Sequence, residues 1–232
     1  MLQRIAAAAC PATEPLVIEI GPGRGALTEY LLPRAERVVG IEIDAGLVDY
    51  LRRRFAGDQR LTLVEDDARK TDLAQWGPAV VAANLPYYIT SPVLEKIFAL
   101  GPLLRRAVVL VQKEVAERLA ATPGTRQYGF LSVQTSVYTA PEILFSVPPS
   151  AFSPPPKVDS AVVRLTPRPL LTEPSGFLEF AGRCFRHKRK TLRNNLAPVY
   201  GKGLIEGWAE AGLRAEQLSP GQLLELYRRL AS

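Results

Sequence analysis

The chain is poor in the side chains that bind metals and form cross-links: its 232 residues include two cysteines and one histidine. Cys10 and Cys184 lie far apart, lack C-x-x-C spacing and have only His187 for company, which argues against both a zinc site and a disulfide framework. A reducing, cytoplasmic setting and chemistry without a bound metal are therefore expected. No apolar run approaches the roughly 20 residues needed to span a bilayer. The Ala-rich opening, Met1 to Cys10, runs straight into an apolar strand without a polar region or cleavage site, so it reads as a helix and not as a signal peptide. No membrane partner is expected.

What is present is ordinary in bulk and uneven in detail. Hydrophobic residues make up 47% and charged ones 22%, as in a soluble globular chain, and the length suits one α/β domain with a smaller appendage. Of the net charge of +6, nearly all sits late: residues 167–232 hold 11 Lys and Arg against 6 Asp and Glu, residues 1–166 hold 18 against 17. A polyanion partner at the tail and a merely solvated basic surface both fit that imbalance.

Four apolar runs in series each end in polar residues. Leu16–Ile20 leads into Gly21-Pro22-Gly23-Arg24-Gly25 and then a helically spaced Ala26–Leu32, which reads as strand, tight turn and helix. The glycines do not follow the G-x-G-x-x-G pattern, and Glu19 would repel a pyrophosphate but suit a cationic ligand group, such as an amino terminus or a sulfonium, so dinucleotide redox chemistry is disfavoured. Val38–Ile41 ends in Glu42-Ile43-Asp44, where Glu42 can grip ribose hydroxyls and Asp44 suits the cap of a helix from Ala45 to Phe55. Leu61–Val64 is followed by Asp66 and Asp67, either of which could meet an adenine amino group. Strands alternating with helices predict a parallel sheet whose carboxyl edge gathers these loops into one crevice. A ligand with a ribose, an adenine and a positive sulfur fits that lining, and S-adenosylmethionine is the candidate it points to.

The fourth run, Ala79–Ala83, ends in Asn84-Leu85-Pro86-Tyr87-Tyr88-Ile89. An Asn carboxamide and nearby carbonyls can accept from an exocyclic amine and an aromatic ring can stack on its base, although an Asn-x-Pro turn alone would also read this way. Further on, Ala107–Gln112 reads as a strand and Lys113–Ala121 as a helix. Phe130–Tyr138 and Lys157–Leu165 read as a closing antiparallel pair of strands around a Pro-rich loop. The prolines of Thr166–Pro174 place a boundary there, giving domains 1–166 and 167–232. Helices are expected over Gly176–Arg186, Arg189–Ala197, Leu204–Ala211 and Pro220–Leu230, with Arg186, Lys190 and Arg193 on one face at i, i+4, i+7.

These residues resemble the ribosomal RNA adenine dimethyltransferases of the KsgA/Dim type, relatives of the Erm antibiotic-resistance methyltransferases. The likeness covers essentially the whole chain and rests on Val17–Thr28, Val39–Asp44, Asp67-Ala68, Asn84–Ile89 and Phe152–Ser160. It implies a class I S-adenosylmethionine-dependent methyltransferase sheet, Rossmann-like, with a small carboxyl-terminal helical domain. By the resemblance, Gly21 and Gly23 lie against the methionine part of the cofactor, Glu42 takes the ribose with Ile43 beside it, Asp67 takes the adenine amino group with Ala68 beside it, and Asn84 stands between cofactor and target. Asp66 departs from the family's neutral residue. Family members also carry an amino-terminal Gly-Gln-Asn-Phe-Leu-like segment over the cofactor, whereas this chain starts at what reads as the following helix, so weaker cofactor binding is expected of this form.

Asn84 and the Pro86 carbonyl, with Leu85 between them, could bond both hydrogens of an adenine amine and aim its lone pair at a methyl donor. Tyr87 is expected to stack on the target base with Phe152 on its other face, and Tyr88 to pack in the core. Arg186, Lys188, Arg189, Lys190 and Arg193 are expected to contact RNA phosphates. The function implied is dimethylation of two adjacent adenines near the 3′ end of 16S rRNA in the small ribosomal subunit, by a monomer. The alternatives are an Erm-like enzyme acting on 23S rRNA and an assembly factor that keeps the fold without turnover.

Overall fold

The computed structural model describes residues 1–85 and 87–231, apart from the side chains of residues 87 and 231. Packing divides the chain into two units: Met1–Ala116 with Ala140–Pro167, and Glu117–Thr139 with Arg168–Ser232.

The first unit opens with α1 (Leu2–Ala9), β1 (Glu14–Ile20), α2 (Thr28–Leu31), β2 (Ala35–Glu42), α3 (Ala45–Arg54), β3 (Leu61–Glu65), β4 (Ala79–Asn84), α4 (Thr90–Ala99) and β5 (Leu104–Gln112). The helix α5 (Lys113–Leu119) leads to α6 (Phe130–Tyr138) in the second unit, after which β6 (Thr139–Val147) and β7 (Ser160–Pro167) return to the sheet. The seven strands lie in the order β3-β2-β1-β4-β5-β7-β6. β3, β2, β1, β4 and β5 pair in parallel, and β7 runs antiparallel to β5. Helices cover the parallel strands, so the strands bury both faces and need near-continuous apolar runs. Val17, Val38, Val80, Ala82, Val108 and Leu110 accordingly pack with Ile5, Ala9 and Leu31 from the helices.

Register fixes the edge on which function depends. Ile20 pairs with Ile41 on one side and with Ala83 on the other, so the next residues, Gly21, Glu42 and Asn84, stand side by side. With strands about 4.8 Å apart, the Glu42 and Asn84 backbones lie roughly 10 Å apart on one edge.

The second unit adds α7 (Ser175–Cys184), α8 (Leu192–Tyr200), α9 (Lys202–Glu206) and α10 (Pro220–Ala231). Its core gathers Tyr128, Val133, Phe177, Phe180, Leu196 and Trp208, and the Tyr128 hydroxyl donates to the Leu218 carbonyl at 2.9 Å.

Four sequence expectations change here. Phe130–Tyr138 is a helix, not a strand: the hydroxyls of Thr135 and Ser136 bond back to the carbonyls of Leu131 and Val133 at 2.7 and 2.8 Å. Burial of Val133 and Val137 in the core of the second unit overrides β propensity. The strand in this region is β6, and β7 begins at Ser160, not at Lys157. Because α6 packs on α7 and α10, the helical unit also takes in Glu117–Thr139, which the proline boundary leaves in the first domain. The expected helix Leu204–Ala211 is interrupted at Gly207, with α9 ending at Glu206 and a short 3-10 turn at Ala209–Gly212.

Candidate active site

The turn after β1 makes the floor of a cavity. Gly21 and Gly23 have positive φ (66° and 59°), a region that L side chains enter at a cost, and a Cβ on either would meet nothing within 4 Å. Both line the cavity, so a side chain there would take ligand space. The Gly21 amide donates to the Ile41 carbonyl at 2.9 Å, which ties the turn to the end of β2.

Glu42 is set by three backbone amides: Gly23 donates to Oε2 at 3.0 Å, and Ile43 and Asp44 donate to Oε1 at 3.0 and 3.1 Å. Those bonds use three of the roughly four acceptor positions of a carboxylate. A ribose hydroxyl has one position left and must share for a second. Asp44 caps α3, its Oδ1 accepting from the Leu47 amide at 3.0 Å.

The cavity measures about 270 Å³, near the lower end of the ~300–1,000 Å³ usual for ligand sites. Its lining includes Gly21, Gly23, Glu42, Ile43, Asp66, Asp67 and Ala68. Loops after β1, β2 and β3 thus converge as expected. Asp66 is used by its own loop, accepting from the Asp67 amide and the Thr71 hydroxyl. The carboxylate of Asp67 faces Arg69, whose hydrogen bonds hold its pKa down at about 2.

Other expected residues lie elsewhere. Glu19 is 1% exposed and is not part of the lining. Strand alternation turns it away from the face where Ile20 meets the cavity, and its Oε2 accepts from the Thr28 hydroxyl at 2.6 Å. Burial, with a smaller push from the charge of Glu42, raises its pKa from 4.5 to about 7 against the Thr28 hydrogen bond. Asn84 is exposed at the end of β4, on the correct edge but outside the residues that line the cavity. Leu85 is buried, and its amide extends the β4 pairing to the Leu110 carbonyl at 3.2 Å. Phe152 packs against the core of the first unit, as the anchor of its Pro-rich loop, and is not part of the lining. The roles expected of Pro86 and of the Tyr87 ring lie outside the described residues.

Tyr88 corrects the expectation of core packing: it is 84% exposed and lines the cavity mouth. It sits on the 3-10 turn Tyr87–Ile89 beyond the sheet edge, where no apolar layer receives it. Sequence reading also passed over Arg69. The available signal was a cation two residues after an acid at the end of a parallel strand.

The basic segment is arranged differently from the expected helical face. Residues 185–190 form a turn, and α8 starts only after Thr191, whose hydroxyl caps it by accepting from the Asn194 amide. Asn195 explains the turn: its buried Nδ2 donates to the carbonyls of Cys184 and His187 at 2.9 and 3.2 Å, giving that backbone an alternative to helix. Its Oδ1 is buried without a partner among the described residues. Arg186, Lys188, Arg189 and Lys190 are exposed on the turn and Arg193 on the first turn of α8. Lys188 donates to the Arg126 carbonyl at 2.6 Å, and Arg193 lies 3.9 Å from Glu206.

Among the described residues no group of three or more His, Cys, Asp or Glu could hold a metal ion, and no helix is long and apolar enough to cross a membrane. A parallel sheet closed by an antiparallel strand, with a glycine turn and acidic strand ends around one cavity, is the Rossmann-like fold of the class I S-adenosylmethionine-dependent methyltransferases. The model of the ribosomal RNA adenine dimethylase family matches residues 1–232, and the chain belongs to that family. It is 45% identical to a ribosomal RNA small subunit methyltransferase A from Acidobacterium capsulatum, across 92% of this chain and 81% of that protein. Its likeness to the protein of the same name from Gloeobacter violaceus is also 45%, across 100% and 89%. Among solved structures it resembles a dimethyladenosine transferase from Plasmodium falciparum (TM-score 0.84, 28% identity, 99% and 96% of the two chains). It also resembles the 23S rRNA methyltransferase ErmE (TM-score 0.79, 29% identity, 100% and 97%).

Proposed function

We propose that the chain is an rRNA adenine N6,N6-dimethyltransferase that uses S-adenosylmethionine and acts on two adjacent adenines near the 3′ end of 16S rRNA, as a step in maturation of the small ribosomal subunit. The observation that carries this is the register that brings Gly21, Glu42 and Asn84 to one sheet edge beside a cavity lined by Asp67. The small-subunit methyltransferases at 45% identity support the choice of substrate.

The residues present fit the cofactor: two glycines leave open wall where its chain would run, and carboxylates stand where a ribose and an adenine amine need acceptors. When bound, S-adenosylmethionine supplies the methyl group. Glu42, already fixed by backbone, orients the ribose without reorganisation, and Asp67 accepts from the adenine amine. Asn84 holds the target amine by its carboxamide, with the Pro86 carbonyl and the Tyr87 ring joining it in this reading. Positioning within about 3 Å and in line then lowers the barrier chiefly by orientation. Arg186, Lys188, Arg189, Lys190 and Arg193 take RNA phosphates, and the cytoplasm is the place of action.

The test is transfer of labelled methyl groups to purified, undermethylated small and large subunits. Label in two neighbouring adenines of 16S rRNA is expected. Label in 23S rRNA would favour the Erm-like reading that the likeness to ErmE supports, and a chain that binds subunits without labelling either would be an assembly factor.

A further inference from the structure

Two residues at the cavity mouth have no part in that reading. The backbone amide and guanidinium of Arg69 hold the carboxylate of Asp67: Oδ1 accepts from the Arg69 amide and Nε, both at 2.9 Å, and Oδ2 from the same Nε at 3.0 Å and from Nη2 at 2.7 Å. Nε carries a single hydrogen shared by the two oxygens, so three hydrogens hold the carboxylate and one of its roughly four acceptor positions is left, with the guanidinium competing with an adenine amine for both oxygens. The Arg69 side chain is itself 46% exposed. Arg69 and the outward ring of Tyr88 line the same mouth. Lys96 donates to the Lys70 carbonyl at 3.3 Å and adds a cation next to this corner.

We propose that Arg69 and Tyr88 form an RNA contact on the catalytic unit that opens only when the cofactor's adenine displaces the guanidinium from Asp67. The proposal rests on the assignment of Asp67 to the adenine amine. A guanidinium released from a carboxylate keeps a planar fork of donors that matches a phosphate equally well. An exposed ring beside cations is the combination by which single-stranded nucleic acids are held, the ring stacking on a base and the cations following the backbone. Tyr88 therefore stacks on a nucleotide beside the target, and Arg69 takes a phosphate. Because cofactor and Arg69 compete for Asp67 and RNA takes the displaced group, each ligand raises the other's affinity by the same factor. The Arg69 side chain is 46% exposed against 14% for Asp67, so solvent screens the pair from the Arg69 side and limits that factor to about fivefold.

Calorimetric titration with S-adenosylhomocysteine, without RNA, compares the wild type with Arg69→Ala. The variant is expected to bind up to about fivefold tighter. Titration of a ten-nucleotide single-stranded RNA across a salt series then compares cofactor-free with S-adenosylhomocysteine-loaded protein. In the wild type, loading should steepen the salt slope by about 0.7, one phosphate of a single strand, whereas in Arg69→Ala the slope should not change. Tyr88→Ala should lower RNA affinity at an unchanged salt slope. Equal or weaker S-adenosylhomocysteine binding by Arg69→Ala, or a wild-type slope indifferent to loading, overturns the proposal. If the wild type itself fails to bind S-adenosylhomocysteine, the functional reading falls with it; if the wild type binds and methylates, only the role of Arg69 is lost.

Discussion

Replacing Glu19 by Gln should make the protein more stable at neutral and alkaline pH. The carboxyl is almost wholly enclosed, and its pKa rises from 4.5 to about 7, chiefly through burial. Below pH 4.5 the folded and unfolded chains both hold this proton and the group contributes no pH dependence. Between pH 4.5 and 7 the unfolded chain releases the proton while the folded chain keeps it, so stability falls as pH rises. Above pH 7 both forms are ionised and the penalty is constant. At 1.36 kcal/mol per unit, the full penalty is about 3 kcal/mol. A glutamine side chain cannot ionise and keeps an oxygen for the Thr28 hydroxyl. Thermal melts followed by circular dichroism from pH 4 to 9 should give Glu19→Gln a Tm about 6–12 °C above the wild type at pH 8, with the gap closing toward pH 4.5. Equal melting at pH 8, or a gap that does not depend on pH, would refute the claim that a buried charge destabilises this fold.

Asn84→Ala should abolish methyl transfer while nearly preserving RNA affinity, and single-turnover assays showing an unchanged rate would remove Asn84 from the chemistry. Neutralising Arg186, Lys190 and Arg193 together should weaken RNA binding and flatten the slope of log K against log salt by about 2 for single-stranded contacts; an unaltered slope would make them a solvated surface. Asn195→Ala withdraws the donor from the Cys184 and His187 carbonyls, and a loss of about 1–3 kcal/mol in denaturant unfolding is expected. A variant as stable as the wild type would show that the turn holds itself.

The parallel half of the sheet was legible because β1, β2 and β4 are buried on both faces and must be written as continuous apolar runs. The glycine turn and Glu42 were legible for a related reason, since positive φ and an acid at a strand end leave few alternatives. Phe130–Tyr138 misled because it is rich in β-branched and hydroxyl residues, and the burial of Val133 and Val137 that overrides their β propensity exists only once the second unit is packed. β6 went unread because Pro141 and Glu142 interrupt its apolar pattern. The expected face of Arg186, Lys190 and Arg193 failed on Thr191 and Asn195, a cap and a clamp that outweigh periodicity. Arg69 and Tyr88 were missed because the importance of each depends on neighbours that only the folded chain assembles.

The helical unit is built from two separated stretches, with two sheet strands threaded between them. Synthesis from the amino terminus therefore finishes neither unit in turn: β5 waits for β7 to cover its free edge, and α6 emerges well before α7 and α10 exist to shelter it. Trimming the gene at residue 167 to obtain a minimal catalytic fragment would leave α6 stranded with its apolar side in water. Excising 117–139 as well, and bridging the gap with a short linker, is the cut that respects how the molecule is packed.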